Sequence, residues 1–103
     1  MLGSVGFEWD AGNATKNWER HRVSAAECEE VFFLAPLVVE AAGQSTQVRR
    51  FLALGHTVGG RQLLVVFTVR GDRIRVISAR PMSRRERRVH ERARAEGQDD
   101  STT

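Results

Sequence analysis

The sequence holds one cysteine, two prolines and a single lysine among 103 residues. A lone Cys28 cannot close an intrachain disulfide, and without a second cysteine there is no thiolate metal site of the usual spacing. His21, His56 and His90 are scattered, with no His-x-x-x-His spacing, so the sequence gives no case for a metal or any other cofactor. Neither a glycine-rich phosphate loop nor an internal repeat is present. The longest strongly apolar run, Leu63 to Phe67, is far too short to span a bilayer. The opening Met-Leu-Gly-Ser-Val-Gly lacks a basic region ahead of a hydrophobic stretch. A reducing cytoplasm and no membrane contact are the expectation. Cys28, among apolar neighbours on a predicted helix, is expected to be buried packing rather than a reactive thiol.

What is present is charge, unevenly placed. Residues 1–46 carry three basic and seven acidic side chains, residues 47–95 carry thirteen basic and three acidic, and residues 96–103 carry three acidic. A basic block of that size in half of a small domain sets up a strong local field, and polyanions are the commonest partners of such fields. All basic residues but Lys16 are arginine. A guanidinium offers a planar fork to phosphate oxygens and a flat face to an unpaired base, which an ammonium does not. A GC-rich codon preference accounts for part of that ratio but not for the clustering after residue 47.

The length allows one domain with one modest core. Val5 to Trp9 alternates and predicts a short strand, after which Asp10 suits an N-cap for a helix from Ala11 to about His21. Ser24-Ala25-Ala26-Glu27 is a capping box that opens a second helix, with Ala25, Cys28, Val31 and Phe32 at helical spacing and Pro36 ending it. Leu37–Glu40, Val48–His56, Gln62–Val69 and Arg73–Arg80 then read as strands, with breaks at Gly59-Gly60 and Gly71-Asp72 short enough for hairpins. Leu63 to Phe67 is apolar at every position and belongs at the centre of the sheet. Ser83-Arg84-Arg85-Glu86 opens a last helix to about Ala95. The fold class is α+β: an N-terminal helical hairpin packed on an antiparallel meander, with a C-terminal helix. One domain is expected over residues 1–95, with 96–103 a frayed polar tail.

Several segments are more specific: Phe7-Glu8-Trp9-Asp10, then Asn17, His21-Arg22-Val23-Ser24, Arg50-Phe51 ahead of Leu54-Gly55, Arg75-Val76-Ile77-Ser78-Ala79-Arg80, and Arg84-Arg85-Glu86-Arg87. In that order and spacing the chain resembles the BrnT family, toxin halves of bacterial type II toxin–antitoxin pairs, over residues 5–92. The resemblance implies a RelE-like ribonuclease that cuts RNA without metal and is neutralised by a BrnA-like antitoxin. It also implies a complex that represses its own operon, so that operator DNA is met only through the antitoxin. A heterotetramer with the antitoxin is one arrangement it admits. The sequence departs from the family at Asn13, where many members have lysine, at Arg49, where many have an acidic residue, and at His90, where tyrosine is frequent.

Metal-free RNA cleavage requires a deprotonated ribose 2′-hydroxyl, a protonated leaving oxygen and stabilisation of the phosphorane charge. Arginine does the last of these, and Arg80, Arg50 and Arg75, in or at the ends of predicted strands, are the candidates. The plainer account of each is solvated strand-edge charge or a salt bridge to Glu86 or Glu8. His21, at a helix C-terminus, is the candidate acid or base, against simple packing beside Trp18. Lys16 and Arg20, one turn apart, and Arg73 and Arg84 extend the phosphate-contacting set, against an ordinary solvated surface. His90 is expected to pair with Glu86 one turn before it, and Trp9 and Trp18 to anchor the core. A non-catalytic module that binds an acidic protein or nucleic acid through the same basic surface is the competing reading.

Overall fold

The computed structural model of the chain describes residues 6–41 and 49–102, with side chains described through Glu96. The elements are β1 (Gly6–Glu8), α1 (Ala11–His21), α2 (Ala25–Phe33), β2 (Leu37–Glu40), β3 (Phe51–His56), β4 (Gln62–Arg70), β5 (Arg73–Pro81) and α3 (Arg84–Thr102). The strands form one sheet in the order β1-β5-β4-β3-β2. From β2 to β5 it is the antiparallel meander that the glycine breaks predict, with β4 at its centre. β1 adds to β5 in parallel, so the complete sheet is mixed rather than purely antiparallel.

The capping expectations for α1 and α2 hold at the level of atoms. The Asp10 carboxylate accepts from the Asn13 amide at 3.1 Å, and Ser24 and Glu27 cap each other's amides at 3.1 and 3.0 Å. These contacts satisfy donors that a helix start otherwise leaves exposed. α1 packs against β5, while α2 packs against β3 and β4. Under α2 the main core gathers Cys28, Val31, Phe32, Ala53, Leu63, Val65, Phe67, Val76 and Ala79. Its aromatic centre runs edge to face from Phe7 to Phe32 at 5.6 Å and from Phe32 to Phe67 at 4.9 Å. Burial pushes the Cys28 thiol up to about 12, so it stays protonated and serves as packing. A smaller cluster of Leu54, Leu64 and Met82, flanked by Leu37 and Leu52, fills the opposite face of the sheet.

Four local expectations change. β1 stops at Glu8 because Trp9 turns away to donate its indole N–H to Glu29 on α2 at 2.8 Å; Val5, like Val48 before β3, lies outside the described residues. Trp18 is half exposed rather than a core anchor, since the buried position on α1 is Asn17, and Arg22 lies over its ring at 5.3 Å. His90 does not pair with Glu86: it is buried and faces His56, with ring centroids 6.1 Å apart. α3 continues past Ala95 to Thr102. A lone helix glycine such as Gly97 costs only about 1 kcal/mol and is not a stop signal.

Candidate functional site

A defect in strand pairing sets which face of β5 its later residues take. Along β4 and β5 the register is regular from Arg70↔Arg73 to Phe67↔Val76, then slips so that Val66 pairs with Ser78 and Ile77 is left over. In an unbroken strand Ile74, Val76, Ser78 and Arg80 would share a face, and Arg75 would share the other with Ala79. The bulge at Ile77 instead lets Ala79 join Ile74 and Val76 in the core and puts Arg80 on the outer face that Arg75 already holds by alternation.

Ahead of the bulge lies a groove of about 720 Å³ lined by Asn13, Arg49, Arg50, Phe51, Thr68, Val69, Arg70, Arg75 and Ile77. Its parts come from four places in the chain: the first turn of α1, the entry to β3, the end of β4 and the start of β5. The β4–β5 turn keeps Arg70 close to β5, because Gly71 adopts φ +59°, a backbone state open to glycine without a Cβ penalty. Four arginines thus converge over a floor that contains Phe51, Val69 and Ile77.

Carboxylates hold three of the four. Arg75 Nη2 lies 3.5 Å from Asp10 Oδ2, and Arg70 Nη1 lies 3.6 Å from Glu8 Oε1. Arg49 makes a bidentate pair with Glu40 at 2.7 and 2.8 Å and also lies over the Phe51 ring at 5.5 Å. Amide hydrogen bonds from Asn13 and Gly12, followed by the Arg75 charge, hold the Asp10 carboxyl below its usual range. The Arg49 fork does the same to Glu40. Arg50 is exposed and makes no ion pair with any described residue. The groove therefore gathers four guanidinium groups, three of them held by carboxylates, an arrangement suited to phosphate oxygens.

Of the residues singled out from sequence, Arg50 and Arg75 meet in this groove and Arg80 does not. Arg80 lies about 16 Å further along β5 at 3.3 Å per residue. Its fork grips Glu86, the salt bridge that was the plainer account of this residue. His21 ends α1 roughly 12 Å from Asn13 at 1.5 Å per residue, and its carbonyl accepts from Arg61 Nη2 at 2.7 Å. Lys16 and Arg20 are exposed on α1, and Arg73 and Arg84 are exposed at the starts of β5 and α3; none of these lines the groove. Asn13, Arg49, Thr68, Arg70 and Ile77 were not among the sequence candidates. Only Ile77 carried a sequence signal, the apolar period that slips by one residue between Val76 and Ala79. Among the described residues no group of three metal-ligating side chains occurs.

A family profile described as ribonuclease toxin, BrnT, of type II toxin-antitoxin system matches residues 9–86. The chain belongs to the BrnT family. The matched stretch includes every groove arginine and the Arg80–Glu86 pair. The crystal structure of the Brucella abortus ribonuclease toxin BrnT, at 1.1 Å resolution, is similar in fold to this BrnT-family chain. The TM-score is 0.61 at 23% identity, over 79% of this chain and 100% of that one. No curated protein sequence matches the chain. No helix among the described residues is long and apolar enough to cross a membrane.

Proposed function

We propose that this BrnT-family toxin is a metal-independent endoribonuclease with a RelE-like arrangement, and that RNA is cut in the four-arginine groove. The observation that carries this reading is the convergence of Arg49, Arg50, Arg70 and Arg75 on one concave surface. Arg50 and Arg75 bind the scissile phosphate and take up the charge that develops on it, with Arg70 and Arg49 on the flanking phosphates. Asp10, one contact away through Arg75, orients that guanidinium. The chain acts in the cytoplasm and is neutralised by a BrnA-like antitoxin, whose complex with it meets operator DNA.

The test is cleavage of single-stranded RNA by the purified chain in excess EDTA. Arg50→Ala and Arg75→Ala are each expected to lose about a hundred- to a thousandfold in rate, since one lost transition-state donor costs ~2.7–4 kcal/mol. Cleavage that vanishes with chelation and returns with a divalent cation overturns the metal-independent assignment. A second reading, a non-catalytic basic module, is favoured by one observation: the groove lining contains no histidine or carboxylate. On that reading the chain binds RNA with steep salt dependence and cuts none of it.

A further inference from the structure

A second concave surface lies apart from the arginine groove, beside the C-terminal helix α3. It is a slot of about 360 Å³ between α3 and the edge strand β2, lined by Leu37, Arg85, Arg88, Val89, Arg92, Ala93 and Glu96. No lining residue is shared with the groove.

The slot exists because α3 is attached along only part of its length. Its N-terminus is tied down by the Arg80–Glu86 fork, and His90 is its one buried side chain among the described residues. One turn away, Val89 and Ala93 stand beside Leu37 without closing on it, and Val89 remains 47% exposed. β2 is the last strand of the sheet among the described residues, and its Val39, on the same side of the strand as Leu37, is exposed as well. An apolar floor left open in this way gains by being covered.

The charges around that floor specify the cover. Arg85, Arg88 and Arg92 fall at helical spacing along its rim, with Glu96 alone opposing them at the far end. From Arg85 to Glu96 the rim runs about 16 Å at 1.5 Å per residue, the length of three helical turns. We infer that this slot receives an amphipathic helix of the cognate antitoxin, apolar on the face set against Leu37, Val89 and Ala93 and acidic on its flanks. The inference rests on the toxin–antitoxin reading above. The apolar floor favours a protein over RNA here, because a phosphate backbone gains nothing from Val89 and Leu37. A second copy of this chain offers no matching helix among the described residues, since the acidic α2 keeps its apolar Cys28, Val31 and Phe32 in the core.

The experiment uses the full chain co-expressed and purified with its cognate antitoxin, and compares three variants with the unaltered protein. Arg88→Glu/Arg92→Glu reverses the rim, Val89→Asp puts a charge on the floor, and Arg50→Ala alters the arginine groove alone. All four positions are exposed, and thermal melting of each free variant confirms that it folds. The rim reversal and Val89→Asp are each expected to weaken the complex about a hundredfold in calorimetry, while cleavage of RNA by the free toxin is unchanged. Arg50→Ala is expected to keep the complex and lose cleavage. A complex of undiminished affinity in the rim and floor variants overturns the inference. So does a parallel loss of RNA binding in them, which would make the slot a nucleic-acid surface, and so does self-association through it at working concentrations. Failure of the ribonuclease assignment shows separately, as absent cleavage in the unaltered chain with complex formation intact.

Discussion

Arg80 and Glu86 meet fork to fork: Nη1 donates to Oε1 at 2.8 Å and Nη2 to Oε2 at 2.7 Å. The same carboxylate accepts from the Ser83 amide at 2.8 Å and completes the N-cap of α3, so one side chain joins the end of β5 to the start of the helix. Arg80→Ala is expected to cost about 1 kcal/mol, or roughly 4–8 °C in Tm for a domain of this size. Arg80→Lys keeps the charge without the fork and recovers only part of that loss. Below the melting transition, cleavage should fall much less in Arg80→Ala than in Arg75→Ala. Equal losses in the two variants would return Arg80 to the reacting centre.

The Glu86 carboxyl, held by the Arg80 fork and the Ser83 cap, drops from 4.5 to about 2. A carboxylate with a depressed folded value contributes stability that is fully present above its unfolded value of 4.5 and is lost as pH falls toward 2. Glu86→Gln should therefore melt below the unaltered chain at pH 7, and the gap should narrow steadily between pH 4.5 and 2. A gap that stays constant with pH would show that the carboxylate's charge contributes nothing.

His90 titrates in the opposite part of the range. Burial, then the charges of Arg94 and His56, hold its imidazole below the usual 6.5, with Glu91 opposing. Folded His90 stays neutral where the unfolded chain takes up a proton, so no stability is at stake above 6.5, and stability is lost as pH falls below it. The expected result is a drop in Tm between pH 7.5 and pH 5 that shrinks in His90→Leu, which fills the same space without titrating. An identical drop in both proteins would assign the acid sensitivity to other groups.

Gly55 is expected to tolerate no side chain. A Cβ there would lie 2.8 Å from Val31 Cγ1 and 3.2 Å from Pro36 Cβ, and Val31 is fully buried with no room to retreat. Gly55→Ala should cost about 1–3 kcal/mol by overpacking, read from chemical denaturation at unchanged m-value. Unaltered stability would mean that α2 can lift from β3 at little cost.

The secondary structure was legible because its signals are local. Asp10 and the two Ser-x-x-Glu boxes start the three helices where caps of that chemistry must, and Gly71-Asp72 turns β4 into β5. The position of β1 was not legible, since a three-residue strand carries no information about which edge it joins. The site was legible only in part. Strand alternation alone puts Arg75 on the outer face but Arg80 on the core face of Ile74 and Val76, and a single unpaired residue, Ile77, moves Arg80 outward and Ala79 inward. Arg80 satisfied every sequence criterion for a phosphate ligand, yet Glu86, six residues on, reaches it first because the capping box brings that carboxylate back toward the strand end.

The parallel pairing of β1 with β5 joins segments far apart in the sequence: Gly6 stands opposite Arg73 and Glu8 opposite Arg75. Contacts so distant in sequence form late, after the local hairpin of β4 and β5 has met the entropy of loop closure on its own smaller scale. The Asp10–Arg75 contact across the groove is of this distant kind. A chain still being synthesised holds α1, α2 and the first strands before Arg75 has been added, and so has every element of the groove except the one that completes it. Assembly of the arginine surface therefore waits for β5, whatever else has already folded.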